Sequence, residues 1–283
     1  LRQGARPGAW RPAQTAKAMR LIDPDVELVA AGSSGPDMPT FGEWERTVLA
    51  ECLPDVDHLS LHLYVEDADG TDPASLLASG DVMGRFIETV AAIADEVADR
   101  LGVARRLGLS FDEWNVWHMA EHARRTIEPW RVGPEICEDT YSGLEGVVVG
   151  SLMITLLQHS ARVRIACLAQ LVNVIAPIRT DERGAWRQTI FHPFADASAH
   201  LGDELLALEV DTPTHDTAKH GPAADVTAAA TRHSATGRIA LFCVNRTVDR
   251  AHPVDLEAPP GYRVSEAWVR RPDAAGTGLE RAP

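Results

Sequence analysis

Residues 56–111 constrain the fold more than any other part of this 283-residue sequence. They open on a strict alternation, with Leu59, Leu61 and Leu63 on one side of an extended chain and His58, Ser60, His62 and Tyr64 on the other. A long amphipathic stretch follows at residues 81–101. There Phe86, Val90, Ile93, Val97 and Leu101 recur at spacings of four and three, making one apolar stripe along a helix. Residues 107–111 return to a short apolar run. An extended run, a helix and another extended run in that order predict α/β architecture with parallel strands.

The alternation continues in both directions. Residues 26–31 are a short strand candidate, ended by the turn residues Gly32, Ser33 and Ser34. Residues 144–159 read as a helix apolar nearly all round, hence buried, and residues 162–169 as a further strand ending at Gln170. Beyond about residue 200 the pattern changes. Short β-rich runs such as 238–244 and 262–269 lie between Gly, Pro and Asp turns, which suggests a sandwich-type domain. The expectation is an α/β chain: a partial (β/α)₈ TIM barrel of about four β/α units over residues 1–200, then an all-β sandwich over 201–283. Half a barrel leaves strand edges unpaired.

With 27 basic against 41 acidic residues the chain carries a net charge of −14, which weighs against nucleic acid as a partner. A neutral ligand such as a sugar fits that balance better. The cysteines Cys52, Cys137, Cys167 and Cys243 are scattered, which argues against a zinc ribbon or a disulfide framework. Cys167 and Cys243 sit in apolar runs and read as small core residues. Residues 1–20 are polar and basic with no apolar core, so they do not read as a signal peptide. The longest apolar run, residues 147–157, is too short to span a bilayer. A cytoplasmic protein with no membrane partner is expected, although the chain does not begin with methionine and an address ahead of Leu1 stays open.

In a parallel β/α barrel the chemistry sits at the C-terminal ends of the strands. Read to its end, each strand contributes in turn Ser33 and Ser34, His62 and Tyr64, Glu113, and Gln170, interleaved with Trp114 and Trp117. A carboxylate, an imidazole, a phenol, an amide and aromatic faces suit a sugar pocket. Glycoside hydrolysis needs two carboxylates, and only Glu113 stands out. Its neighbour Asp112 should point the opposite way along the strand and make a structural hydrogen bond.

The stretch Ser110-Phe111-Asp112-Glu113-Trp114-Asn115-Val116-Trp117 resembles the nucleophile motif of glycoside hydrolase family 51, the α-L-arabinofuranosidases. Residues 26–41, with Gly32-Ser33-Ser34 and Met38-Pro39-Thr40-Phe41, resemble the family's fifth-strand region. Leu59-Ser60-Leu61-His62-Leu63-Tyr64 is similar to its sixth strand, and IACLAQLVNVIAPI, residues 165–178, to its eighth. All four occur in family order. The resemblance makes the partial barrel the last four β/α units. It also implies a retaining enzyme releasing terminal α-L-arabinofuranosyl residues from arabinan- or arabinoxylan-type glycans.

By position in those motifs, Glu113 would be the nucleophile and Tyr64 would orient it. His62, Trp117 and Gln170 would bind the sugar. Retention would proceed through an arabinosyl-Glu113 intermediate, with the two carboxyls about 5 Å apart. No metal or organic cofactor is implied, and the full-length family member would be a homo-oligomer.

The departures are informative. The family places its acid/base glutamate in a Gly-Asn-Glu motif, and no such motif occurs in these 283 residues, so the acid/base is expected to be absent from this chain. Residues 1–12, LRQGARPGAWRP, do not resemble the family's helix at that place. Leu63 stands where the family has Gln, a change expected to alter packing rather than chemistry. The alternative is an inactive, truncated product that at most binds sugar, and a third possibility is a related retaining glycosidase with another sugar preference. His118-Met119-Ala120-Glu121-His122 fits the H-x-x-E-H zinc pattern. A zinc site needs those residues on a helix plus a third ligand. Here they follow a strand-end motif in a stretch the family uses as a loop, so zinc is not expected.

Overall fold

The computed structural model describes residues 6–126, 128, 130–273 and 279–282, without the side chains of residues 6–11 and 279–282. Contacts gather the chain into two compact units that interleave in sequence. The first unit takes residues up to Tyr64, 82–115 and 158–169; the second takes 65–81, 116–157 and 170 onward.

The first unit is built on a four-stranded sheet in the order β1 (Val29–Ala30), β2 (His58–Val65), β3 (Gly108–Val116), β4 (Val163–Leu168). β1 runs parallel to β2 and β3 parallel to β4. The alternation in β2 resolves as expected: Leu59, Leu61 and Leu63 are buried, while His62 and Tyr64 are half-buried on the other face. Leu63 is therefore a packing residue. β1 is shorter than the predicted 26–31 because the Leu28 carbonyl accepts from both Asp57 and His58 and the Leu28 amide donates to the Asp57 carboxylate. That side-chain bond takes the place of a ladder rung.

Helix α1 (Arg6–Ile22) lies ahead of β1, so of residues 1–12 the first five fall outside the described residues and the helix begins at Arg6. Helix α2 (Glu43–Cys52) is capped by Glu45, whose fully buried carboxylate accepts from the Ser33 and Gly42 amides at 2.8 and 2.7 Å. Gly32 has to be glycine because a Cβ there would sit 2.2 Å from the Ser60 carbonyl oxygen of β2. Helix α4 (Ser79–Leu101) turns the predicted stripe inward. Phe86, Val90, Ile93 and Val97 are buried, whereas the last member, Leu101, is exposed. Phe86 meets Phe111 of β3 edge-on, with ring centroids 6.2 Å apart, a contact of about 0.5–1.5 kcal/mol beyond the area it buries.

The second unit holds α3 (Pro73–Leu77), α5 (Met119–Arg124), most of α6 (Gly143–Gln158) and α7 (Phe191–His200). It also holds the hairpin of β5 (Ile178–Asp181) and β6 (Gly184–Arg187). A three-stranded antiparallel sheet has β10 (Val226–Arg232) between β11 (Ile239–Asn245) and β7 (Glu204–Leu206). The pairs β8 (Thr214–Thr217) with β9 (Gly221–Ala224), and β12 (Val269–Pro272) with β13 (Leu279–Ala282), form separate ribbons. Of the predicted run 262–269 only Val269 lies in a strand.

Two further expectations are corrected. Residues 118–122 do not form a loop: His118 is the N-cap of α5, and Met119–His122 lie on it. Cys167 and Cys243 are exposed rather than core; among the described residues β4 and β11 each have one strand neighbour and lie at a sheet margin. Cys52 is the buried thiol, pushed up to about 11 by burial and then by the carboxylates of Asp55 and Glu51.

Candidate active site

The decisive local feature is an irregularity in β3. Phe111 pairs with Ala166 of β4 and Trp114 with Leu168, so three steps along β3 are matched by two along β4. The extra residue falls at Asp112-Glu113, a β-bulge. In a regular strand these two side chains would leave opposite faces. Here both reach His62, Asp112 Oδ1 lying 3.1 Å from Nε2 and Glu113 Oε2 lying 3.5 Å from Nδ1. The expectation that Asp112 points away from Glu113 is overturned, and the bulge is the reason.

Ser60, His62 and Tyr64, on one face of β2, meet those two carboxylates. The Ser60 hydroxyl donates to Asp112 Oδ1 at 2.7 Å and lies 3.1 Å from His62 Nε2. The Tyr64 hydroxyl donates to Glu113 Oε2 at 3.0 Å. The Ser110 hydroxyl reaches the other Asp112 oxygen at 3.2 Å. Burial first, then the hydrogen bond and the charge of Glu113, hold the Tyr64 phenol well above its ordinary range, so it stays a donor. The Glu113 side chain is 47% exposed, which leaves its carboxylate open to an incoming molecule.

The flanks of the bulge are buried and tied to β4. Trp114, Asn115 and Val116 are buried. The Asn115 amide donates to the Ala169 carbonyl at 2.7 Å, and the Ala169 amide donates to the Trp114 carbonyl at 3.2 Å, tying β3 to the chain just past β4. The cluster therefore unites His62, Tyr64 and Glu113 and adds Ser60 and Asp112. Ser33 is buried and gives its amide to Glu45, so it serves the α2 cap.

Trp117 and Gln170 belong to the second unit. Trp117 stands 6.3 Å from the His122 ring, and the exposed Gln170 donates its backbone amide to the Ile175 carbonyl. In the same unit His122 Nε2 lies 2.6 Å from the fully buried carboxylate of Asp139, which also accepts from the His118 amide at 2.9 Å. His118 lies 3.7 Å from Glu145 of α6. The H-x-x-E-H histidines thus close on carboxylates, while Glu121 pairs with Arg125. Among the described residues, no group of three or more His, Cys, Asp or Glu is arranged to hold a metal ion. No described helix is long and apolar enough to cross a membrane.

Over residues 112–275 the chain matches the family described as the alpha-L-arabinofuranosidase C-terminal domain. A solved family 51 alpha-L-arabinofuranosidase from Bifidobacterium longum superposes with a TM-score of 0.86 at 36% identity, over 99% of this chain and 60% of that one. The chain belongs to the family 51 α-L-arabinofuranosidases. Among family members, an intracellular exo-alpha-(1->5)-L-arabinofuranosidase of Streptomyces lividans is 52% identical over 256 residues, which are 90% of this chain and 38% of that protein. An exo-alpha-(1->6)-L-arabinofuranosidase of Bifidobacterium longum is 44% identical over 262 residues, 89% of this chain and 50% of that protein. This family 51 chain thus spans half or less of the length of these two curated relatives.

Proposed function

We propose that this chain carries the nucleophile half of a retaining α-L-arabinofuranosidase, with Glu113 attacking the anomeric carbon. The observation that carries this reading is the clamp on Glu113: Tyr64 and His62 both address Oε2, which leaves Oε1 for attack. In the first step Oε1 bonds to the anomeric carbon, and the bond from that carbon to the leaving oxygen breaks, its electron pair going to the aglycone. In the second step water attacks the same carbon, the ester bond returns its pair to Glu113, and the water's proton passes to a base. Tyr64 keeps Oε2 in place through both steps. On this reading His62, Trp117 and Gln170 contact the sugar, an arabinofuranosyl group of an oligosaccharide or polysaccharide.

The acid that protonates the leaving oxygen in the natural reaction would come from outside these 283 residues, since they contain no Gly-Asn-Glu sequence. A second reading is a chain that binds sugar without turnover. The parallel pairing of β1 with β2 and β3 with β4 supports a partial (β/α)₈ barrel, assigned to residues 1–200 and followed by a β-sandwich over 201–283. Relatives named as intracellular support a cytoplasmic setting, and the full-length enzyme is proposed to be a homo-oligomer.

The test is mass spectrometry of the chain after incubation with a dinitrophenyl α-L-arabinofuranoside. That leaving group departs without acid assistance, so the nucleophile is probed by itself. A covalent arabinosyl adduct on Glu113, missing in Glu113→Ala, is the expected result. No adduct on the unsubstituted chain would favour the sugar-binding reading.

A further inference from the structure

The hairpin of β5 and β6 takes no part in the attack by Glu113, yet it carries an exposed aromatic ring beside a paired carboxylate and guanidinium. Its register sets Arg179 directly opposite Trp186 and Asp181 directly opposite Gly184. Positions two apart along a strand share a face, so these four residues lie on one side of the ribbon. The Arg179 guanidinium donates to the carbonyls of Glu138 and Asp139, at 2.7 and 3.2 Å, and its carbon lies 5.9 Å from the centroid of the Trp186 ring. One face of the indole is thereby backed, while the residue stays 44% exposed.

Gly184 brings no side chain, and a Cβ built there would meet nothing within 4 Å, so the space beside it is open. That space is a cleft of about 240 Å³ lined by Asp181, Arg183, Gly184, Ala185 and Trp186. Pockets for drug-sized ligands run to roughly 300–1,000 Å³, so this one suits a single ring. At the turn, Arg183 donates to Asp181 Oδ2 through two side-chain nitrogens, at 2.9 and 2.6 Å, and through its backbone amide to Oδ1 at 2.8 Å. An ionic ligand would have to break that pair. Two adjacent hydroxyls would not, since one can donate to the carboxylate while the other accepts from the guanidinium. The chemistry of the cleft therefore selects a neutral ring with adjacent hydroxyls and a face to lay on the indole.

We infer that this cleft is a carbohydrate-binding site, with Trp186 as the stacking platform and Asp181 and Arg183 as hydroxyl partners for one further sugar unit of the glycan. The inference rests on the chain acting on an arabinofuranosyl glycan. Within the second unit the hairpin grows out of the same short segment that carries Gln170. Gln170 donates its amide to the Ile175 carbonyl at 3.3 Å, and Asn173 donates its own to the Ile178 carbonyl at 2.8 Å. The Asn173 side chain also bonds the backbone and hydroxyl of Thr180 on β5. One glycan can thus be held at both ends of a single tied segment.

The test is proton–nitrogen NMR of the tryptophan indoles in the full chain, titrated with a linear arabinotetraose. The Trp186 signal is identified as the one missing from Trp186→Phe, and it should shift and saturate as the oligosaccharide is added. In Arg183→Ala the same shift should need a several-fold higher concentration. That side chain is 88% exposed, so this variant also serves if Trp186→Ala does not fold. By calorimetry Trp186→Ala should bind arabinotetraose at least about tenfold more weakly, and Trp186→Phe, which keeps an aromatic face, should recover most of the loss. A Trp186 signal that stays still, or equal binding by Trp186→Ala, would overturn the inference. So would a signal that moves on dilution without sugar, which would make the cleft a contact between copies. The labelling of Glu113 is read separately: a shifting Trp186 signal without an adduct leaves the cleft and removes the nucleophile reading, and an adduct with a still signal does the reverse.

Discussion

At the scale of single residues, Tyr64 is the cleanest place to test the clamp. Its hydroxyl gives the clamp's shortest bond to the carboxylate, 3.0 Å, and its raised phenol pKa keeps it a donor throughout the neutral range. A hydrogen bond to a charged acceptor contributes about 1.5–3 kcal/mol, so Tyr64→Phe should slow labelling of Glu113 by roughly 10- to 150-fold. The loss should fall on the rate at saturating substrate rather than on the concentration that saturates it, with the melting temperature little changed. A loss confined to saturation would instead make Tyr64 a sugar contact. That Glu113, His62 and Tyr64 lie together was legible in the sequence, because motif and alternation set them on neighbouring strands. The direction of Asp112 was not. It depends on how many residues of β4 lie opposite Phe111–Trp114, a long-range register that no local pattern carries.

At the scale of elements, the link between α5 and α6 is expected to be pH-sensitive. Burial by itself would raise the Glu145 carboxyl, but the nearby His118 and two bonds from Ser142, at 2.6 and 2.7 Å, hold it down at about 2. Glu145 in turn raises His118 above its ordinary 6.5 against the opposing effect of burial. The depressed carboxyl contributes stability that is complete above about 4.5 and lost as pH falls toward 2. The raised imidazole contributes stability that is complete below 6.5 and lost as pH climbs through its folded value. Both act in full only between about 4.5 and 6.5. Thermal unfolding of Glu145→Gln against the unsubstituted protein should show its largest gap in that window, roughly 1–3 kcal/mol, narrowing on either side. A gap that does not vary with pH would mean that packing, not charge, joins these helices. α5 itself could not be read from the sequence: six residues carry too little periodicity, and its fixed points are Asp139 and Glu66, distant in the chain. α4, with 23 residues and one clean stripe, was read almost to the residue.

At the scale of the whole molecule, pattern placed both kinds of sheet but not the way the chain shares itself between two interleaved units, since that depends on contacts between residues far apart in sequence. Among the described residues the parallel sheet ends at β1 and β4, and the β4 margin has a practical side. Among the described residues β4 has a neighbour on one flank only, and its sequence, Val163-Arg164-Ile165-Ala166-Cys167-Leu168, contains one charge and no proline. A strand of that kind is a template on which another extended chain can lay itself, and natural edges discourage this with charge or a bend. Concentrated samples should therefore cluster in a manner that dilution reverses and salt hardly alters, as light scattering over a concentration series would show. Ala166→Lys, on an exposed position of that strand, should keep the same samples clear. For whoever purifies these 283 residues by themselves, then, the margin of one short strand sets how much can be kept in a tube.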